Sequence, residues 1–156
     1  MPDRFEALYR SVPAGFRTWT PDSWGGIPGE RFSALGQLCH LRDIEIDGYH
    51  RRFRRVLDET EPALESVDGY ALAESRRYSE ADEEQALAAF RAARHTTLEL
   101  LGGLDEAALK RGCTFDEYGR LSLEGLIRVL CSHDAQHLAC MHWLHAKIAS
   151  ADLKSG

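Results

Sequence analysis

The chain has 156 residues, 44% of them hydrophobic and 28% charged, with a formal net charge of −6. That length and balance suit one ordinary globular domain, taken as residues 1–156, and exclude a disordered tail. The acidic excess speaks against nucleic acid as a partner, because phosphate binding draws on clustered Lys and Arg. The opening "MPDRFEALYRSV" is charged from its third residue and lacks the apolar core of a secretory signal. No stretch approaches the roughly 20 apolar residues of a membrane span, so a cytoplasmic, membrane-free protein is expected. Cys39, Cys113, Cys131 and Cys140 show no CxxC spacing and read as small buried hydrophobes.

The periodicity is helical nearly everywhere. A first helix runs from Arg4 to about Val12 and resumes weakly before the loop "TPDSWGGIPGE", which is broken by Pro21, Gly25, Gly26, Pro28 and Gly29. A long second helix covers roughly Phe32 to Asp58 and ends in the basic run "HRRFRR", where cations complement the helix dipole. "ETEPALESVDGYALAES" reads as an irregular connection broken at Pro62 and Gly69. The third helix opens at "SEAD", where Ser79 and Asp82 resemble a capping box, and stops at Gly102-Gly103. "CTFDEYGRLS" is a loop or small hairpin around Tyr118-Gly119. Ser122 caps a last helix that runs to about Ala149. Three long amphipathic helices and a shorter first one predict an all-α protein, an antiparallel four-helix bundle.

The last helix carries "SHDAQHLACMHWLH", with four of the seven histidines. On a wheel of about 100° per residue with Leu126 at zero, Leu144, Leu130, Ile148, Leu123 and Met141 fall within about 60° of one another. His133 falls near −20° and His137 near +20°, inside that apolar stripe, whereas His145 sits near 100° and His142 near 160°. An inward HxxxH pair one turn apart fits metal ligation better than packing, since buried imidazoles need partners. Position 134 is Asp, so no HExxH is present and zinc-protease chemistry lacks support. Asp134 points elsewhere on the helix and reads as surface polarity. A third ligand must come from another helix, and His40 is the main candidate, with Asp43 and Asp47 at i+3 and i+7. The wheel opposes it. Leu35, Leu38, Tyr49, Phe53 and Val56 form the stripe of the second helix, and His40 points away from them, toward solvent. The DxxH pairs Asp47/His50 and Asp134/His137 only faintly echo di-metal bundles, and His95 receives no role. Trp19, Trp24, Tyr49 and Trp143 read as core fillers.

"HLRDIE" at His40 to Glu45 and "HDAQHL" at His133 to Leu138, with "DEEQALAAFRAARHTTLELLGGL" between them, resemble the DinB-like family of four-helix metalloproteins. The likeness spans about Ser33 to His145. It implies a divalent metal held by His40, His133 and His137 at a cleft, overruling the wheel for His40. Zinc or nickel comes first, with iron or manganese as alternatives. Related proteins include S-transferases that use low-molecular-weight thiols, so the expected function is a metal-dependent thiol transferase or small-molecule hydrolase. The alternative is a non-catalytic metal-binding, sensor or structural bundle. Three imidazoles leave a divalent ion an open position for water or thiol. Asp43 is placed by spacing as a base or as an orienter of His40. A homodimer remains open at this stage.

Overall fold

A computed structural model describes residues 1–27 and 29–152 of the chain. Four helical rods form the bundle. They are α1 (Pro2–Ser11), a composite rod, α5 (Glu83–Leu101) and α7 (Leu123–Asp152). The composite rod joins α2 (Ala34–Asp43), a π-helical segment (Ile44–Tyr49) and α3 (His50–Asp58) without a break. α2 packs on α5 and α7, and α1 on α7, α5 and α2. The all-α, four-helix reading holds.

Local chemistry sets the helix starts. Pro2 and Asp3 open α1, as a proline without an N–H and an acid near the dipole's positive end should. The Ser33 hydroxyl accepts from the Gly36 N–H and starts α2. Ser122 does the same for α7 through Gly125, as expected. The capping box at Ser79 does not form. The cap of α5 is Asp82, which accepts from Gln85 N–H at 2.8 Å, while Ser79 lies in a 3₁₀ turn at Tyr78–Glu80. Asp beats Ser here because its carboxylate also meets the dipole. Pro28, one of the expected loop breakers, lies outside the described residues.

The connection after α3 is more ordered than its composition suggests. It contains β1 (Ala63–Leu64) and α4 (Gly69–Ser75), whose first N–H groups at Tyr70 and Ala71 are held by Asp68. After the short α6 (Glu106–Leu109), β2 (Gly112–Phe115) and β3 (Gly119–Ser122) form the small hairpin. Gly119, at φ +67°, supplies the left-handed turn that a side chain would resist. β1 joins β2 in parallel, giving the order β1-β2-β3. Cys131 is exposed, against expectation, because it falls on the outer face of α7; the other three cysteines are buried. No described helix is long and apolar enough to cross a membrane.

The core has two apolar clusters. Phe5, Tyr9, Leu38, Leu41, Phe90 and Met141 belong to one; Ile44, Tyr49, Phe53, Phe115 and Leu130 belong to the other. On α2 the changeover falls between Leu41 and Ile44, and on α7 between Leu130 and Met141. His40 and the His133–His137 pair therefore lie at the seam between the two clusters.

Candidate metal centre

Three imidazoles meet at this seam. His40 Nε2 stands 3.2 Å from His133 Nε2, which stands 3.1 Å from His137 Nε2. The Glu30 carboxylate, in the loop before α2, closes the group at 3.6 Å from both His40 Nε2 and His137 Nε2. All four ligand atoms lie within 4.8 Å of one another. His40 is 1% exposed and His137 fully buried. The burial of His40, against the solvent-facing expectation, follows from α2 being covered on both sides: Ala34 through Leu41 are all buried, so no single stripe marks an inner face. Gly69 closes over His40 from α4. A Cβ there would lie 2.6 Å from His40 Cε1, so only glycine lets the two approach.

Burial holds these imidazoles neutral. It pushes His40 down to about 3 and His133 to about 4, with the neighbouring imidazole adding to the effect at His40. His137 is driven well below its ordinary value by burial and by both neighbours. The tautomer of His137 is fixed from outside. Gln37 Nε2 donates to the carbonyls of Glu30 and Phe32 at 2.9 and 3.2 Å, so its Oε1 must accept the His137 Nδ1–H. His137 Nε2 is then a bare lone pair facing the cluster. A single hydrogen on His133 Nε2 can serve only one of its two neighbours. A divalent cation accepts from all three. Two nitrogens tetrahedrally bound at zinc–nitrogen lengths stand about 3.3–3.4 Å apart, a few tenths from the separations here. The donor set fits a divalent ion.

A cavity of about 420 Å³ opens beside the cluster, lined by His40, His133 and Glu30 and also by Arg52, Phe115 and Tyr118. Tyr49, expected as core, is buried but also lines this cavity, its ring 6.1 Å from that of His133. Trp24 and Trp143 do fill the core side, stacked at 5.2 Å.

The sequence of residues 1–141 matches the profile of the DinB superfamily. The chain belongs to the DinB superfamily. Among curated proteins no sequence matches it. Among solved structures it is similar to YfiT from Bacillus subtilis, described as a probable metal-dependent hydrolase with an unusual four-helix bundle topology. The TM-score is 0.80 at 23% identity, over 95% of this chain and 81% of that one. At that identity the likeness establishes the shared fold.

In this DinB-superfamily chain the three histidines singled out from sequence are brought together; Asp43 is not brought with them. Its carboxylate is buried and held by Arg42 at 2.6 and 3.0 Å and by Arg76 at 2.9 Å. Burial alone would raise its pKa, but Arg42 first, with Tyr78 and Arg76, outweighs that and keeps it below the usual carboxylate range. Asp134 is not surface polarity. It is buried and accepts from the Nη1–Nη2 edge of Arg94 at 2.6 and 2.9 Å, while the Nε–Nη2 edge of Arg94 donates to Glu45 at 2.6 and 2.7 Å. Thr97 donates to Glu45, and His50 donates to the Ala93 carbonyl, so the Asp47/His50 pair serves no second metal. His142 is exposed, and His145 donates to the Leu8 carbonyl. His95 pairs with Glu99 on the surface. Sequence reasoning missed Glu30 and Gln37. Glu30 lies in a loop with no periodicity; its one signal is being the only acid between the glycines and the Ser33 cap.

Proposed function

We propose that this chain is a metal-dependent enzyme that activates a small nucleophile, water first, for attack on a small-molecule substrate. The observation that carries it is the convergence of three neutral imidazole Nε2 atoms, those of the buried His40 and His137 and the half-buried His133, beside an open cavity. His40, His133 and His137 would hold a divalent ion, with zinc or nickel favoured by imidazole ligands. When bound, such an ion acts as a Lewis acid that lowers the pKa of a ligated water or thiol. Glu30 is the group placed to take the released proton, since its oxygens face two of the imidazoles and the cavity at once. Gln37 orients His137 and, through the Glu30 carbonyl, the loop that carries this base. Asp43, paired with two arginines, acts through its charge on His40 as a positioning residue. YfiT's description as a probable hydrolase supports the choice of water. The cavity's volume also leaves room for a low-molecular-weight thiol beside the substrate, which supports S-transfer as the second reading. A cavity of that volume argues against a purely structural or sensing bundle.

The test is elemental analysis of protein loaded with zinc or nickel and then desalted. Wild type should retain about one ion per chain, and His137→Ala should lose at least ~100-fold in affinity, as the loss of one of three ligands implies. Glu30→Gln should keep the ion while hydrolysis of an activated ester such as p-nitrophenyl acetate falls ~10²–10⁴-fold, the range of a lost general base. Wild-type protein that takes up no divalent ion would sink the proposal.

A further inference from the structure

Arg52 lies in the cavity wall with only 6% of its surface exposed. A guanidinium so buried is normally matched by a carboxylate. Elsewhere in this chain that rule is obeyed: Arg42 has Asp43, and Arg94 has Glu45 and Asp134. Among the described residues no ion pair reaches Arg52. Its Nε and Nη2 donate to the Glu65 carbonyl at 3.2 and 3.0 Å. Its cationic carbon sits 4.5 Å from the Phe115 ring centre and 5.1 Å from that of Tyr49. These contacts position the charge without neutralising it. Asp116 attracts it only from a distance, and its own carboxylate accepts the Ser66 N–H. Burial accordingly pushes the Arg52 pKa below its usual range. Gly48 makes room for the group: a Cβ there would lie 2.9 Å from Arg52 Nη1.

With the Nε–Nη2 edge spent on Glu65, the Nη1–Nη2 edge is left as a planar two-donor fork. We infer that the cavity takes a small molecule bearing a carboxylate, seated on that free edge of Arg52, with its reacting end at the His40–His133–His137 cluster. The placement of the reacting end rests on the metal-dependent reading above; the carboxylate seat does not. One delocalised positive charge and a planar fork match a carboxylate in both charge and shape. Among the described residues no lysine lines the cavity to balance a second negative charge. Ile44, Val67 and Val129 add apolar wall to the same cavity, which suits a short hydrocarbon spacer. The span also suits a small ligand, because the centre of one ring, Tyr49, lies 5.1 Å from the Arg52 guanidinium carbon and 6.1 Å from the centre of the His133 ring.

The experiment compares 3-mercaptopropionate with 3-mercapto-1-propanol, two thiols of equal length differing in the carboxylate. Binding is measured by calorimetry on zinc-loaded and on chelator-treated protein, for wild type, Arg52→Met and Arg52→Lys. The zinc-loaded wild type should prefer the carboxylate about tenfold or more, as a charge-assisted hydrogen-bonded pair supplies. Arg52→Met should bind both thiols equally, and Arg52→Lys, with charge but no fork, should fall between. In chelated protein the preference should persist at weaker affinity for both probes. If zinc never binds yet the Arg52-dependent preference remains, the metal reading fails and the carboxylate seat stands. An equal preference in wild type and Arg52→Met, or none in wild type, overturns the inference. Arg52→Lys carries the comparison should Arg52→Met fail to fold.

Discussion

At the scale of single residues, the site depends on side chains that never touch the cation position. Gln37 has its amide nitrogen committed to two carbonyls, and this leaves its oxygen only one role, to take the His137 proton. Gln37→Leu should therefore fold, keep all three histidines and still bind zinc ~10- to 100-fold more weakly, the usual effect of losing such an orienting partner. Competition with a chromophoric chelator measures this directly, and unchanged affinity would remove Gln37 from the site. The sequence made His133 and His137 legible because α7 buries one face only, so a wheel separates them from His142. Gln37 and Glu30 gave no such signal. A buried glutamine in an all-round buried helix looks like any polar residue, and a loop glutamate has no period at all.

At the scale of elements, the helices were legible and their interruptions were not. α2 is buried on both sides, which erases the contrast a wheel reads. The π segment then inserts one residue's worth of extra turn, so stripes drawn through Leu38 and Phe53 describe different faces. The strand β1 and helix α4 went unread because two to seven residues are too few to show a period. Between the π segment, α5 and α7 lies the Glu45–Arg94–Asp134 cluster, whose charges are nearly all out of water. Removing its cation leaves two buried acids facing each other. Arg94→Met should cost about 3–5 kcal/mol in urea unfolding, the penalty for breaking a buried pair by one partner. Glu45→Gln and Asp134→Asn added together should restore much of it. A loss below about 1 kcal/mol for Arg94→Met would show that the cluster does not hold these elements together.

At the scale of the whole molecule, burial of the histidines ties stability to pH. In the metal-free protein His40 and His133 titrate near 3 and 4, against 6.5 in the unfolded chain. Between those values the unfolded state binds more protons, so stability rises with pH. The contribution is complete above about pH 6.5 and is lost progressively as pH falls toward 4 and below. Glu6 and Asp43, whose pKa values are lowered from 4.5 and 3.8, add their losses as pH falls through and below those values, so they leave the window above about pH 5 to the histidines. Thermal melts of chelated protein should therefore show a falling Tm from pH 6.5 to 5, and His133→Leu should flatten part of that slope. Zinc at 100 times its Kd should add about 2.7 kcal/mol at pH 7.5, since it binds only the folded state. A pH-independent Tm across this window would mean the imidazoles are already protonated or exposed. The π segment has a further consequence. Arg52 follows His40 by 12 positions, which on an uninterrupted helix puts them about 120° apart; one extra residue in the turn brings that to about 20°. The π segment thus works as an angular offset between His40 and Arg52 on one rod. On the readings proposed above, the upstream part of the rod would carry a metal ligand and the downstream part the carboxylate seat, with a single inserted residue setting the angle between them.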